Sequence, residues 1–509
     1  MEQNKRMPFV ILAMALGLFM SSLDNTIVSA SISQVIQDIG GFEKMSWIFT
    51  AYMLAATSTM LVFGKMSDLF GRKLFYLIGI SLFLIGSALS GTAQNIDQLI
   101  AYRVIQGIGS GAIFPISFTI IYSVSTSPKQ AAKMSGIFAG IFGISSVLGP
   151  QIGTWISEAS WLGWRWCFYV NVPFGILSII ALTFALKESK SDKKPKVDYL
   201  GTLLLITSTV LLLLGLEWGG KDYAWDSVQI ISMFSGAAAA IALFLWVETK
   251  AAEPILPLEI FKNKMVLGTS IVVFCQGAIM FSAITYLPIL SVAVMGNENS
   301  NGVLTPMMFP IMVGAIIGGF LCTKVPFRTI MIISMGMGIF EAYMLGSITH
   351  ETAKWTVTLV MIAMGLVVLG PLMSVSQNAV AQSVDMKYMG IASSVVGFWR
   401  SIGGVMGAAI TATIVNNDLK EKMLDFAATS KMPADQIGKM AKPEVLMQKN
   451  ANIPPQLVDF MRGALETALH HGFILALVAG CIGLVVAFFV GGDRYVMRQT
   501  AEETGKAAS

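Results

Sequence analysis

The chain has 509 residues, of which 55% are hydrophobic and only 13% charged, with a mean hydropathy of +0.70. Soluble proteins carry about 25% charged residues, so little of this surface is made for water, and a net charge of +4 is too small for the length to point to nucleic acid. Cys167, Cys275, Cys322 and Cys481 lie scattered in apolar runs, without the paired spacing of a disulfide framework or a zinc site.

The first apolar run, from Phe9 to Val35, follows Lys5 and Arg6 and contains Ser29-Ala30-Ser31, the flanks of a secretory signal. It is too long for a signal core and is read as a retained first helix. At about 20 apolar residues per crossing, helices are expected over residues 9–35, 46–64, 74–93, 98–123, 131–156, 164–186, 199–217, 228–247, 264–290, 303–323, 328–348, 355–378, 389–415 and 470–491. Fourteen crossings put both termini on one side. With that side inner, the inner segments hold twenty-one Lys and Arg, and the short outer segments hold only Lys44, Arg165, Lys221 and Lys354. The asymmetry places both termini in the cytoplasm. Residues 416–468 form a long outer segment of mixed charge with Pro433, Pro454 and Pro455, expected to be an extracellular cap or helical hairpin.

Shifting the chain by 254 residues lays helix 5 on helix 13: Lys133 meets Lys387, Gly136 meets Gly390, Ile137 meets Ile391, Gly149 meets Gly403 and Gly153 meets Gly407. The shift spans eight helices, as two six-helix halves separated by two more would give. Parallel repeats with a substrate site between them near the membrane midplane are a transporter plan. The expected fold is therefore all-α and membrane-embedded. It has an N-terminal six-helix bundle over 1–190, two inserted helices within 191–262, and a C-terminal six-helix bundle over 263–509. The Lys-rich stretch 187–198 and the segment with Pro254 and Pro257 flank the inserted pair.

Ionisable groups inside spans are costly and are functional candidates by default. Asp24 lies roughly 22 Å along helix 1, where a carboxyl suits loading and release of a proton; the structural alternative ends helix 1 near residue 23 and makes Asp24 a cap. Glu341 sits at a depth of ~20 Å in helix 11. It is a candidate for proton coupling or cation binding, against a structural carboxylate bonded to a neighbouring helix. Arg103 in helix 4 falls in the same outer half and is placed to face Asp24. Arg400, near the middle of helix 13, needs a carboxylate or carbonyl partner, which the sequence does not identify, although Glu341 is a candidate.

Gly107, Gly109 and Gly111 in helix 4, with Gly140, Gly143, Gly149 and Gly153 in helix 5, let backbones approach closely. Pro150 removes a helix hydrogen bond and is expected to bend helix 5. Met307, Met308, Met312, Met331, Met335, Met337, Met361 and Met364 crowd helices 10 to 12; they suit either an adaptable binding site or lipid-facing filler. The sequence has no phosphate-binding loop, HExxH or nucleophile elbow, and its three histidines, His350, His470 and His471, all fall at outer edges. These features speak against an ATPase or another enzyme and call for no cofactor or metal.

Several segments resemble the major facilitator superfamily and, within it, the fourteen-helix drug:proton antiporter branch. Gly64-Lys65-Met66-Ser67-Asp68-Leu69-Phe70-Gly71-Arg72-Lys73 is similar to the superfamily's G-x-x-x-D-R-x-G-R-K/R loop, with Leu69 in place of Arg. The resemblance implies that Gly64, Asp68, Gly71 and Arg72 latch the two halves on the inner side. Arg103-Val104-Ile105-Gln106-Gly107-Ile108-Gly109 resembles R-x-x-Q-G-x-G, whose arginine is linked to proton transfer. Gln106 joins Asp24 and Glu341 as a substrate-binding candidate. Gly136, Gly149, Pro150 and Gly153 resemble the antiporter motif of helix 5, with Ser145 where a further glycine is usual.

Leu23-Asp24-Asn25-Thr26-Ile27-Val28 resembles L-D-x-T-I-V, whose acid serves in coupling or substrate recognition; Ser29 and Ser33 depart from the Asn and Pro that follow it. Trp164-Arg165-Trp166-Cys167-Phe168-Tyr169-Val170-Asn171-Val172-Pro173-Phe174-Gly175 closely resembles the W-R-W-x-F-x-x-N-x-P-x-G opening of helix 6. All these motifs fall within the first 175 residues, so Glu341 inherits no role from the family.

The resemblance implies a proton-coupled antiporter that exports hydrophobic or cationic amphipathic compounds by alternating access, a secondary active transporter and not an enzyme. Its partners are then small amphipathic substrates, protons and the lipid bilayer of a bacterial cell membrane, without nucleic acid. Where the source has an outer membrane, a periplasmic adaptor is an open question. The alternative within transport is a dedicated exporter of one endogenous lipid, siderophore or antibiotic; outside it stands a channel or receptor. Peptide importers also have fourteen helices, but their E-x-x-E-R signature is missing from helix 1.

Overall fold

A computed structural model describes residues 2–159, 161–186, 196–296, 301–430 and 455–491. Fourteen helices among them are long and apolar enough to cross a membrane. They are α1 Arg6–Ile39, α2 Phe42–Phe70, α3 Arg72–Gly91, α4 Ile96–Val124, α5 Lys129–Glu158, α6 Trp166–Ala185, α7 Tyr199–Trp218, α8 Val228–Glu248, α9 Lys264–Val294, α10 Val303–Leu321, α11 Phe327–Leu345, α12 Lys354–Ser383, α13 Met386–Phe426 and α14 Phe460–Phe489. Every expected crossing has its counterpart, and the chain is a multi-pass membrane protein. A helix satisfies its own backbone hydrogen bonds, which lipid cannot do. Asn95, Ser127, Asp198, Ser227 and Asn263 accept backbone N–H bonds at the first turns of α4, α5, α7, α8 and α9. Gly71 alone separates α2 from α3, at a φ of 113° that side-chain-bearing residues rarely adopt.

The first helix does not stop at Asp24 but runs to Ile39. The helix of α13 continues to Ser430, and the last helix begins at Pro455. Of the expected outer cap, residues 431–454 lie outside the described residues, as do 187–195 of the Lys-rich stretch.

Packing repeats eight helices on. α1 packs on α5 and α6, α2 on α4, and α3 on α4 and α6; in the same way α9 packs on α13 and α14, α10 on α12, and α11 on α12 and α14. The two sets of six meet along two seams, α2 against α13 and α5 against α10, each the image of the other. α7 and α8 pack together and dock through α7 on α2 and α13. This is the expected plan of two six-helix bundles with an inserted pair. Glycine makes both seams tight: a Cβ on Gly64 would lie 2.8 Å from the Gly390 carbonyl oxygen, and one on Gly136 would lie 2.8 Å from that of Ala315.

Met307, Met331, Met335, Met361 and Met364 are buried in the C-terminal core and do not face lipid. α12 contains a π-helical stretch, Met364–Leu369. Its loosened carbonyls are taken up by neighbours: Ser334 Oγ donates to Val367 O at 2.7 Å, and Gln276 Nε2 donates to Leu369 O at 3.0 Å.

Candidate functional site

Asp24 and Arg103 are wholly buried and form an ion pair through Arg103 Nη1 and Asp24 Oδ2. Gln106 Nε2 donates to Asp24 Oδ1 at 2.7 Å, and Asn171 Nδ2 donates to the same oxygen at 2.9 Å. Asn171 Nδ2 also reaches Ser87 Oγ at 3.0 Å. The guanidinium directs its other N–H groups to Ile48 O at 3.1 Å, Gln106 Oε1 at 2.8 Å and Asn25 Oδ1 at 3.3 Å, and its carbon lies 4.2 Å over the Tyr52 ring.

Local structure explains the convergence. Arg103 and Gln106 are three apart on α4 and share a face. α6 is broken between Trp166–Tyr169 and Asn171–Ala185, which starts its second segment at Asn171. Burying two charges costs several kcal/mol each unless geometry and further hydrogen bonds offset it; here both ions are fully partnered. Gln106 bonds both partners at once, so a change of charge on Asp24 acts on Arg103 directly and through the amide. Asn25, Ser29 and Ser33, spaced by four on α1, form an exposed polar stripe that meets the network at the Asn25–Arg103 bond.

Of the loop residues, Gly64, Asp68 and Arg72 meet the start of α13, and Gly71 makes the turn between α2 and α3. Asp68 accepts from the N–H of Gly390 at 2.8 Å and of Ile391 at 2.9 Å, an anion seated on a helix N-terminus. Arg72 Nη2 donates to Met386 O at 2.8 Å and lies 3.9 Å from Asp68. More bonds join the halves at this end: Thr119 Oγ1 to Met389 O at 3.4 Å, Tyr122 Oη to Asn378 Oδ1 at 3.0 Å, and Asn378 Nδ2 to Ser135 Oγ at 2.6 Å. The end that carries the α2–α3 loop is closed.

Gly149, Pro150 and Gly153 lie where α5 crosses α1, one turn past Asp24. A Cβ on Gly149 would stand 2.6 Å from Thr26 Cβ, and one on Gly153 would stand 2.6 Å from Ile27 O. Pro150 leaves α5 a single helix, Pro128–Glu158. The repeat mate Gly407 packs the same way on α9, its Cβ position 2.6 Å from Ala278 Cα.

Glu341 stands apart from Asp24, in the C-terminal half, and the candidate pairing between it and Arg400 does not occur. Glu341 is buried and neither carboxyl oxygen has a hydrogen-bond partner among the described residues. Arg400 is also buried, with Nε and Nη2 unpartnered among the described residues, and lies 6.0 Å from the Phe114 ring of α4. The reason is azimuth: α13 turns Arg400 across the seam, whereas α11 turns Glu341 into its own bundle.

Asn171, Ser87, Tyr52 and Asn25 belong to the Asp24 network without having been singled out as site residues. Asn171 stands in the W-R-W-x-F-x-x-N segment, which carries the signal for it. The same segment ties down the other end of the bundle, where Asp38 accepts from Arg165 and from Trp164 Nε1 at 3.0 Å.

The family model of the Major Facilitator Superfamily matches residues 14–408. Multidrug resistance protein 3 of Bacillus subtilis is 37% identical over 98% of both chains. Multidrug transporter protein MdtP of the same organism is 34% identical over 96% of this chain and 94% of its own. The structure of the proton:xylose symporter XylE matches over 99% of both chains with a TM-score of 0.60. That of the human organic anion transporter MFSD10 covers 96% of this chain and 100% of its own at 0.59. At 14% and 12% identity these two bear on the fold alone.

Proposed function

The chain belongs to the major facilitator superfamily, and from that premise we propose that it is a proton-coupled exporter of hydrophobic and cationic amphipathic compounds, working by alternating access. The observation that carries this reading is the buried Asp24–Arg103 pair bridged by Gln106, beside an exposed polar stripe and in a bundle closed at one end. The names of the two Bacillus subtilis relatives support multidrug export. Both termini lie in the cytoplasm of a bacterial cell, and the chain divides into bundles over 1–190 and 263–509 with the inserted pair in 191–262. The closed end is then cytoplasmic and the polar stripe opens outward.

In that state an external proton reaches Asp24 along Asn25, Ser29 and Ser33. Protonation removes the charge opposite Arg103, whose bonds to Ile48, Gln106 and Asn25 remain. Asn171 Oδ1, buried and unpartnered among the described residues, offers the new O–H an acceptor once the amide turns. Cargo leaves outward as the proton arrives. After the latch of Asp68 and Arg72 opens, the proton leaves to the cytoplasm, and Asp24 and Gln106 face new cargo. The glycine contacts of Gly149 and Gly153 with α1 carry the change to α5.

The test is purified protein in liposomes under an imposed pH gradient, with cationic and neutral dyes. Uphill dye movement that collapses with the gradient is expected, and Asp24→Asn should abolish it while leaving the protein folded. Full uphill transport by that variant sinks the coupling role, and flux that is only downhill with no proton counter-movement indicates a channel. Movement of a single chemical class marks a dedicated exporter.

A further inference from the structure

We infer that Glu341 is a second proton-carrying group, the C-terminal counterpart of the Asp24 site, supplied from the histidine-bearing rim at the ends of α11 and α14. The inference rests on the proton-coupled reading and deepens it. Its first ground is the repeat. The Asp24 network is held by α1, α3, α4 and α6, through Asp24, Ser87, Arg103 with Gln106, and Asn171. Glu341 lies in a closed pocket walled by α9, α11, α12 and α14, the same four helices counted eight further on.

Ile279 and Ala283 come from α9, Met364 from the π-helical stretch of α12, and Phe473 and Ala476 from α14. Single π-helical turns in long helices are frequent at functional sites. The two sites differ in one respect: the acid here has no cation among the described residues. It is 2% exposed, both carboxyl oxygens are without a partner among the described residues, and no other lining residue is titratable. A buried carboxyl is normally hydrogen-bonded or paired, so the orphan needs an explanation. The pocket leaves no space for a water molecule, still less for cargo. The species this carboxyl can exchange is a proton.

The second ground is the rim, which holds all three histidines of the chain. His470 lies on α14 one turn before Phe473, and its Nε2 is 2.7 Å from Ile348 O, just past the pocket residue Leu345. Beside it, His350 Nδ1 is 3.1 Å from Glu466 Oε2, His471 bonds Asp418, and Glu351 lies 4.0 Å from His350. On the α9 side Arg462 donates to Ala293 O at 3.4 Å. Imidazoles change charge between pH 5 and 8, which suits proton collection at the mouth of a bundle whose acid is one to two turns inside. On loading, the pocket opens toward the rim and admits water; an O–H bond of a hydronium ion breaks as the O–H bond of the Glu341 carboxyl forms, and the reverse transfer to water releases the proton.

Full-length protein in liposomes, with ethidium as probe and the potential clamped at zero, gives the test. Each proton exchanged contributes about tenfold per pH unit to the steady-state gradient. Wild type is expected to approach about a hundredfold per unit and Glu341→Gln about tenfold, while His470→Gln keeps the steady state but slows its approach at acid pH. A Glu341→Gln slope equal to wild type overturns the inference. A second measurement needs no cargo. Infrared difference spectra between acid and alkaline pH should show a carboxylic-acid band that Asp24→Asn keeps and that both Glu341→Gln and Glu341→Leu lack. Retention of that band in either Glu341 variant also overturns it. If wild type moves no ethidium against a pH gradient, the proton-coupled reading fails, and the infrared band still decides whether Glu341 exchanges a proton.

Discussion

Asp24→Asn and Arg103→Leu, made singly and together, separate what the buried pair does for stability from what it does for coupling. Asp24 is the only anion among the named partners of the Arg103 guanidinium; the rest are the Ile48 carbonyl, Gln106, Asn25 and the Tyr52 ring. Removing one member of a buried pair costs about 3–5 kcal/mol, because the other charge is left uncompensated. In Asp24→Asn the new amide oxygen still accepts, so a loss near the lower end, about 3 kcal/mol, is expected. In Arg103→Leu the carboxyl keeps Gln106 and Asn171 as donors and can discharge itself by taking a proton, which limits the loss to about 1–3 kcal/mol. The double variant buries no charge here, and neutral replacement of a buried pair is often close to neutral in stability. It should therefore melt above Asp24→Asn. Apparent melting temperature in detergent reads the first quantity, and uphill ethidium efflux in liposomes reads the second. Stability should return in the double variant and coupling should not. Recovery of uphill transport in the double variant, or its full retention in Asp24→Asn, refutes the assignment.

Asp68→Asn weakens two bonds to the start of α13 that, as bonds to a charged group, are worth about 1.5–3 kcal/mol each; a cysteine placed at buried Ser394 should then alkylate faster, and an unchanged rate removes the latch role. Gly153→Leu brings a side chain where the Cβ alone would stand 2.6 Å from Ile27 O, so uphill efflux should be lost at normal expression, with Gly153→Ala partly active. Equal activity of the Leu variant shows that the α1–α5 contact is not needed. Lys65 is buried, 3.6 Å from half-exposed Glu253 in the segment after α8. Glu253→Gln should cost less than about 1 kcal/mol, and the swap Lys65→Glu with Glu253→Lys should restore the melting temperature lost in Lys65→Glu. Failure of that rescue shows that the two charges do not interact.

What the sequence makes legible follows from what each property depends on. A membrane span is a matter of composition and length, so fourteen crossings can be read without knowing how they pack. Depth along a helix can be counted as well, which is why Asp24 and Arg103, both in the outer half, are expected to face each other and do. Azimuth cannot be counted the same way. Glu341 and Arg400 each lie well inside a span, yet one turns into its bundle and the other across the seam, and the candidate pairing fails. Ser87 escapes notice for another reason: a lone hydroxyl is common in membrane helices and can bond within its own helix, so nothing in an apolar run flags it, whereas Asn171 is flagged by the W-R-W-x-F-x-x-N segment but not as a partner of Asp24. The apolar rule also stops α13 too early. Asn416, Asn417, Asp418, Lys420, Glu421 and Lys422 look like loop, but Leu419 and Met423 are fully buried four residues apart and keep an inner helical face.

The Asp24–Arg103 network, the proposed proton site, and the closed end are built on the same helices, and this bears on how one can act on the other. α4 carries Arg103 toward one end and Thr119 and Tyr122 toward the other, roughly 24 and 28 Å away at 1.5 Å per residue. Between them Gly107, Gly109 and Gly111 bring α4 into backbone contact with α2 and α3: Gly107 meets Tyr52, Gly109 meets Phe83, and a Cβ on Gly111 would lie 2.6 Å from Ala56 O. Helices in such contact do not slide independently, because any shift drives backbone into backbone. α2 in turn carries Asp68, and α5, seated on α1 by Gly149 and Gly153, carries Gly136 and Gly143 in the seam with α10. A change of charge at Asp24 therefore needs no chain of side-chain rearrangements to reach the latch. In the proposed cycle it biases the position of a packed unit whose far end holds the gate bonds, and two arrangements of that unit across the seams would serve as the bistable element of alternating access.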